Sequence, residues 1–277
     1  MNKHFLGFAA VAAAAILTAA PASAHRQWLL PSSTVLSGDD VWVTVDAAVS
    51  NDLFYFEHQP LRLNSMKAWA PDGSEAPIEN ASTGRYRSTF DVHLTQKGTW
   101  RIASVSDGVM GTYDLGGKTE RLPRGTTTAN LAERLPAGAT NVKTAESNNR
   151  NEIFVTVGEP TTTLFKPTGK GIELAPVTHP NDLFAGEAAT FQFLLDGKPA
   201  AGLPVTVIPG GIRYRDQLGQ IDLTTDAEGK VEVTWPEAGL YWLNVTTPRA
   251  EREEGEAAPA APQRRASYVT TLEVMAP

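Results

Sequence analysis

Cysteine is absent from the 277 residues, which excludes disulfides, thiolate zinc sites, iron–sulfur clusters and thiol nucleophiles. Basic residues are in deficit, 24 Lys and Arg against 31 Asp and Glu, for a formal net charge of −7. That balance removes any general attraction to phosphate backbones or anionic lipid, so nucleic acid is not an expected partner. Histidine is scarce, with five residues, and no two have the H-x-x-x-H spacing of a local metal site. Gly-x-Ser-x-Gly, a phosphate-binding loop and a dinucleotide fingerprint are all missing. Asp39 and Asp40 are sequence neighbours, which sends them to opposite faces of a strand or into a turn, not into an acid–base pair. No enzyme is expected. A copper oxygenase built on an N-terminal histidine is the one catalytic alternative.

Long apolar runs are also missing, save one. Residues 5–20 are apolar and alanine-rich, Lys3 precedes them, and Pro21-Ala22-Ser23-Ala24 ends in the small-x-small pattern of signal-peptidase cleavage. Sixteen residues fall short of the roughly 18–20 that span a bilayer, and no cysteine follows to carry a lipid. A signal peptide over 1–24, cleaved in a bacterial periplasm, is therefore expected, with no transmembrane segment after it. The mature chain would keep 23 basic and 31 acidic residues and would start at His25. A free α-amine and an imidazole on one residue can chelate a transition metal, and copper and nickel reward such nitrogen ligands best.

What is present in quantity is strand pattern. Residues 41–45, 85–94, 99–105 and 151–157 are rich in β-branched and aromatic side chains, and turn clusters such as Pro71-Asp72-Gly73-Ser74 separate them. A second set covers 172–177, 189–195, 203–208, 230–235, 240–246 and 268–274. Only 128–135 reads as a short helix. Gly108-Val109-Met110-Gly111 reads as a hairpin turn. The pattern predicts an all-β fold of two tandem Ig-like or transthyretin-like sandwiches. The expected division is 25–158, a linker over 159–170 rich in Pro, Thr and Gly, and 171–277. The halves echo each other. Leu36-Ser37-Gly38-Asp39 matches Phe184-Ala185-Gly186-Glu187, and Gly98-Thr99-Trp100-Arg101-Ile102 matches Gly239-Leu240-Tyr241-Trp242-Leu243. Residues 116–149 and the acidic, Ala/Pro-rich stretch 248–265 have the composition of disordered loops.

These residues resemble a known family. His25-Arg26-Gln27-Trp28-Leu29-Leu30-Pro31 is similar to the mature N-terminus of the NikM-like periplasmic proteins. Leu194-Leu195-Asp196-Gly197-Lys198-Pro199 and Thr225-Asp226-Ala227-Glu228-Gly229-Lys230 follow in the same order as in that family. The resemblance covers nearly the whole mature chain. It implies an exported all-β accessory protein of cobalt or nickel uptake, serving a permease or an outer-membrane receptor. Where family members carry a histidine on the last aromatic strand, this chain has Asn244.

Four histidines remain after cleavage. His93 shares a strand face with Asp91, a carboxylate placed to accept its second N–H as metal-bound imidazoles need. His58 follows the aromatic run Phe54-Tyr55-Phe56, and His179 precedes Pro180 at the start of the second half. The expected metal ligands are His25, His58 and His93, gathered from distant strands around a Ni, Co or Cu ion. The alternative is a metal-free periplasmic adaptor whose sandwiches dock a transporter or receptor.

Overall fold

A computed structural model describes residues 25–248 and 263–277. The expected signal segment and most of the acidic stretch, 249–262, lie outside the described residues. Among those described, the chain forms nineteen strands, one single-turn helix and two 3-10 turns. The fold is all-β.

Twelve strands build two units of six. The first holds β1 (Arg26–Pro31), β2 (Val41–Ser50), β3 (Met66–Trp69), β4 (Ser88–Leu94), β5 (Gly98–Leu115) and β6 (Thr140–Val157). The second holds β7 (Ile172–Pro176), β8 (Ala188–Leu195), β9 (Pro204–Pro209), β10 (Lys230–Thr234), β11 (Gly239–Thr246) and β12 (Gln263–Val274). In the first unit β2 lies between β1 and β4, and β5 lies between β3 and β6, all antiparallel. The second repeats this wiring, with β8 between β7 and β10 and β11 between β9 and β12. Two sequence echoes therefore mark equivalent places: Gly98 opens β5 and Gly239 opens β11, at φ of +122° and +144° that a side chain would strain.

The units do not meet through a tether. β6 pairs with β12 in parallel, from Ala145 opposite Gln263 to Glu152 opposite Thr270. That ladder fuses β3-β5-β6 and β12-β11-β9 into one ten-stranded sheet. Successive side chains on a strand face opposite ways. Ile153, Val155 and Val157 of β6 thus enter the first core, against the β1-β2-β4 sheet, while Phe154 enters the second, against β7-β8-β10. The two cores lie on opposite faces of the shared sheet.

The connector between the units is packed structure. It carries a 3-10 turn at Thr163–Phe165, where Leu164 is buried and Phe165 meets Phe154 with ring centroids 4.7 Å apart. Arg101 of β5 donates to the Leu164 carbonyl at 3.2 Å and lies 4.5 Å above the Trp69 ring. The connector and His179 cover the face of the first unit that β1-β2-β4 leaves bare. Below it, Arg150 of β6 bridges Glu152 at 3.4 Å and Glu173 of β7 at 3.2 Å, all three nearly inaccessible to water. Burial pushes the Glu173 carboxyl up, but N–H donors from Thr168 and Gly169, with Arg150, outweigh it and leave it below its usual range.

Three expectations are corrected. Residues 116–149 are not a structureless excursion: β5 and β6 run eighteen residues each as a long ribbon, and Lys118–Arg121 pairs back onto β5. Polar composition is what a solvated ribbon has in common with a loop. Gly108 and Gly111 are mid-strand, not a hairpin turn. A Cβ at Gly111 would sit 2.0 Å from the Lys143 carbonyl oxygen, so glycine there permits close strand approach. The helix is only Leu131–Arg134, because Thr127 and Asn130 hold the preceding residues in a side-chain-bonded turn, with Thr127 N–H donating to Asn130 Oδ1 at 2.7 Å. From the acidic stretch, Gln263, Arg264 and Arg265 belong to β12.

Candidate functional site

The chain leaves β2 at Ser50, passes through residues 51–58 and returns at the short strand Gln59–Pro60. This loop is fixed from both sides. Trp28 of β1, fully buried, donates its indole N–H to Ser50 Oγ at 2.8 Å and takes the Phe54 and Phe56 rings at 5.6 and 5.5 Å. Phe54 adopts φ +65°, an uncommon left-handed conformation outside glycine. The Glu57 carboxylate accepts the Asn51 and Asp52 N–H groups at 2.8 and 3.0 Å. Those donors, the Asp52 amide foremost, hold it below the usual carboxylate range. Arg213 reaches across from the second unit, 3.1 Å from Asp52 and 3.4 Å from Glu57.

The consequence is the placement of His58. Its ring stacks on His25 with centroids 3.8 Å apart and planes 15° from parallel. Both residues are exposed. In-plane lone pairs of parallel rings cannot meet at one point, so a shared ion requires His25 to turn about its side-chain torsions, which its exposure allows. Among the described residues no three His, Asp or Glu side chains converge on a point where an ion could sit. Two imidazoles plus the α-amine that cleavage would free make a three-nitrogen set needing only two side chains.

His93 is elsewhere. Arg26 pairs with Ser50, whereas Trp42 pairs with His93, eight residues back along β2. At about 3.3 Å per residue that separates them by roughly 26 Å. His93 is therefore not brought to His25 and His58, because β4 runs antiparallel along β2 and ends with His93 beside Trp42. Its ring lies flat on Trp42 at 4.3 Å, and its Nε2 is 2.8 Å from Asp40, not paired with Asp91. Asp91 instead accepts from Thr44 and Asn80 at 2.7 and 2.8 Å. Trp42 is 41% exposed. His179 lies under the connector, where its Nδ1 accepts the Asn181 N–H at 3.1 Å, leaving Nε2–H to donate to Thr99 Oγ1 at 3.0 Å. Burial holds its pKa below the ordinary imidazole value.

Two features were not visible in the sequence. A groove of about 940 Å³ opens beside His25, between the end of β1 and the face of β9, β11 and β12 that the second core does not use. Its floor carries Ile208, Trp242, Asn244 and Val269, and Arg26 lies over the Trp242 ring at 5.8 Å. Nearby, Tyr214 is 85% exposed and faces Tyr55, over whose ring Arg213 sits at 4.3 Å. Strand register creates the groove and the meeting of two loops creates the tyrosine cluster, and no local pattern announces either.

A family described as a domain of unknown function, DUF4198, matches residues 22–249. The chain belongs to the DUF4198 family. The match spans the first unit, the connector and the second unit as far as β11, so the DUF4198 region includes His25 and His58 and ends before β12. No curated protein matches this DUF4198 chain significantly. Among solved structures it is similar to the D0-D1 domain of intimin, at 11% identity and TM-score 0.21, covering 89% of this chain and 97% of that one. It is also similar to the E. coli alpha-2-macroglobulin, at 14% identity and TM-score 0.24, over 91% of this chain and 14% of that one. A DUF4785 family protein from Legionella pneumophila matches at 8% identity and TM-score 0.22, over 78% and 50%.

Proposed function

We propose that the exported, signal-cleaved protein binds one late first-row divalent ion, nickel, cobalt or copper, and serves a periplasmic metal-uptake system. The ligands are the His25 amine and imidazole with the His58 imidazole. The observation that carries this reading is the 3.8 Å approach of His25 and His58, two residues 33 positions apart in a chain with only five histidines. The resemblance of residues 25–31 to the NikM-like N-terminus supports the same choice of metals, and the partner it suggests is a permease or an outer-membrane receptor.

Equilibrium dialysis of the cleaved protein against the three chlorides tests it. One bound ion per chain is expected, with affinity falling in acid because metal-binding nitrogens must be deprotonated. An extra residue before His25 removes the amine ligand without touching the fold. It should weaken binding by at least tenfold, about 1.4 kcal/mol, and His58→Ala should weaken it similarly. Equal binding by the authentic and extended proteins would discard the site. The metal-free adaptor reading then takes its place, favoured by the exposed Tyr214 beside Tyr55 and Arg213, residue types enriched at the centres of protein interfaces.

A further inference from the structure

The groove beside His25 is far larger than an ion needs. A coordinated ion and one or two waters fill on the order of 100 Å³, at ~30 Å³ per water, whereas about 940 Å³ is the size of a pocket for a small organic molecule. The shared sheet has an equivalent position on its other face, beside β7, and there the connector fills it with Leu164 and Phe165. No segment among the described residues plays that part beside β1. The open copy of the position is the one that His25 lines, with His58 stacked on it.

Arg26 lies in this groove in an unusual state. Nearby arginines are already taken, Arg213 by Asp52 and Glu57 and Arg215 by the Pro209, Gly210 and Leu218 carbonyls. Arg26 makes no ion pair among the described residues, and its one hydrogen bond runs from Nη1 to the Asn51 carbonyl at 3.0 Å. A guanidinium carries five N–H donors in a planar fork matched to a carboxylate. The other four find no protein acceptor among the described residues, and the group lies over an indole that already favours a cation. Farther in, Asn244 spends its amide N–H on the Tyr268 carbonyl at 2.9 Å, which leaves its Oδ1 able to accept from a ligand hydroxyl. The ligand that fits is anionic at one end and hydroxylated or apolar along its length.

We propose that the groove holds the organic part of a metal chelate, a small polycarboxylate with one carboxylate on Arg26 and its metal on His25 and His58. The inference rests on those histidines holding the ion, and it makes the cargo a chelate instead of a bare cation. The chain's net negative charge does not forbid an anionic ligand. Beyond a Debye length of about 8–10 Å that charge is screened, and inside the groove Arg26 is joined by Asp52, whose carboxylate is taken by Arg213 at 3.1 Å.

Isothermal titration of the signal-cleaved full chain tests this with three titrants: nickel chloride, sodium citrate, and nickel premixed with equimolar citrate. The premixed titrant should bind at one equivalent, with citrate retained on the protein, and at least about tenfold more tightly than citrate alone. Arg26→Gln should weaken the premixed titrant about tenfold while leaving nickel alone within twofold. Arg26→Lys should recover part of the loss, since a point charge replaces the fork. If citrate merely strips nickel from the protein, or Arg26→Gln binds the premixed titrant as the wild type does, the groove inference falls and the metal reading stands. If nickel binds in neither form, both fall together.

Discussion

The two six-strand units share their wiring and differ in what lies against the shared sheet. Gly98 and Gly239 open equivalent strands with similar backbone angles, and each unit packs an aromatic-rich core on its own face. At the junction they diverge. On one face the connector seals the first unit, with Phe165 against Phe154 and His179 against Thr99. On the other face β1, the end of β2 and the loop 51–58 cover only part of the second unit, with Trp28, Ala48 and Leu53 against Ile208, Trp242 and Val269. The uncovered remainder is the groove, and His25, Arg26 and His58 stand at that end. Chemistry-bearing residues gather where the repeat is broken, because a position that need not close a core is free to hold a ligand.

The hardest test of this comparison strikes the parallel ladder that fuses the units. Arg150, 5% exposed, neutralises Glu152 and Glu173 from opposite units. Arg150→Ala leaves two buried carboxylates without their cation and should cost about 3–5 kcal/mol. Because one sheet runs through both units, the loss should appear as a single transition in urea, with the same midpoint by fluorescence and by circular dichroism. Two separated transitions, only one of them shifted, would show that the units unfold independently.

Strand existence was legible, since period-2 alternation of apolar residues marks a buried face wherever it occurs. Ten expected strands lie within or overlap observed ones, from Val41–Ser50 to Gln263–Val274. The shared sheet was not legible. Its decisive pairing joins residues more than a hundred positions apart, and Ala145 to Asn149 of that pairing lie in the polar stretch that reads as a disordered loop. The candidate site was half legible. His25 follows from the cleavage pattern, and His58 from its aromatic neighbours. His93 was misplaced because face alternation fixes which side a residue points to, not which end of the sheet it occupies. Arg26 was read only as part of a motif, because an arginine lacking a carboxylate partner is a property of the folded neighbourhood.

A smaller effect distinguishes the sealed face from the open one by pH. His179 is held neutral under the connector, its folded pKa below that of the unfolded chain. The unfolded state therefore takes up the proton first. Stability is complete above about 6.5 and is lost as pH falls through that value toward the lower folded pKa. His179→Gln keeps hydrogen-bonding capacity but cannot titrate. Urea midpoints measured at pH 7.5 and 5.0 should differ less in the variant than in the wild type. An equal difference would mean that the imidazole is solvated and the connector does not seal that face.

The smallest effect concerns His93, and it sharpens the assignment of the open end. His93 lies flat on a half-exposed Trp42 and meets Asp40, whose side chain is 82% exposed. Exposed pairs of this kind contribute about 0–1 kcal/mol, and salt reduces even that. His93→Ala should therefore shift the urea midpoint little. Metal affinity of the cleaved protein should stay within twofold of the wild type, because β2 carries His93 to the end of the sheet remote from His25. The informative contrast is with His58→Ala, which also removes a solvent-accessible imidazole and so controls for nonspecific surface binding. If His93→Ala loses affinity as steeply as His58→Ala, the Trp42–His93 register along β2 is wrong, and the site must be rebuilt around three histidines instead of two and an amine.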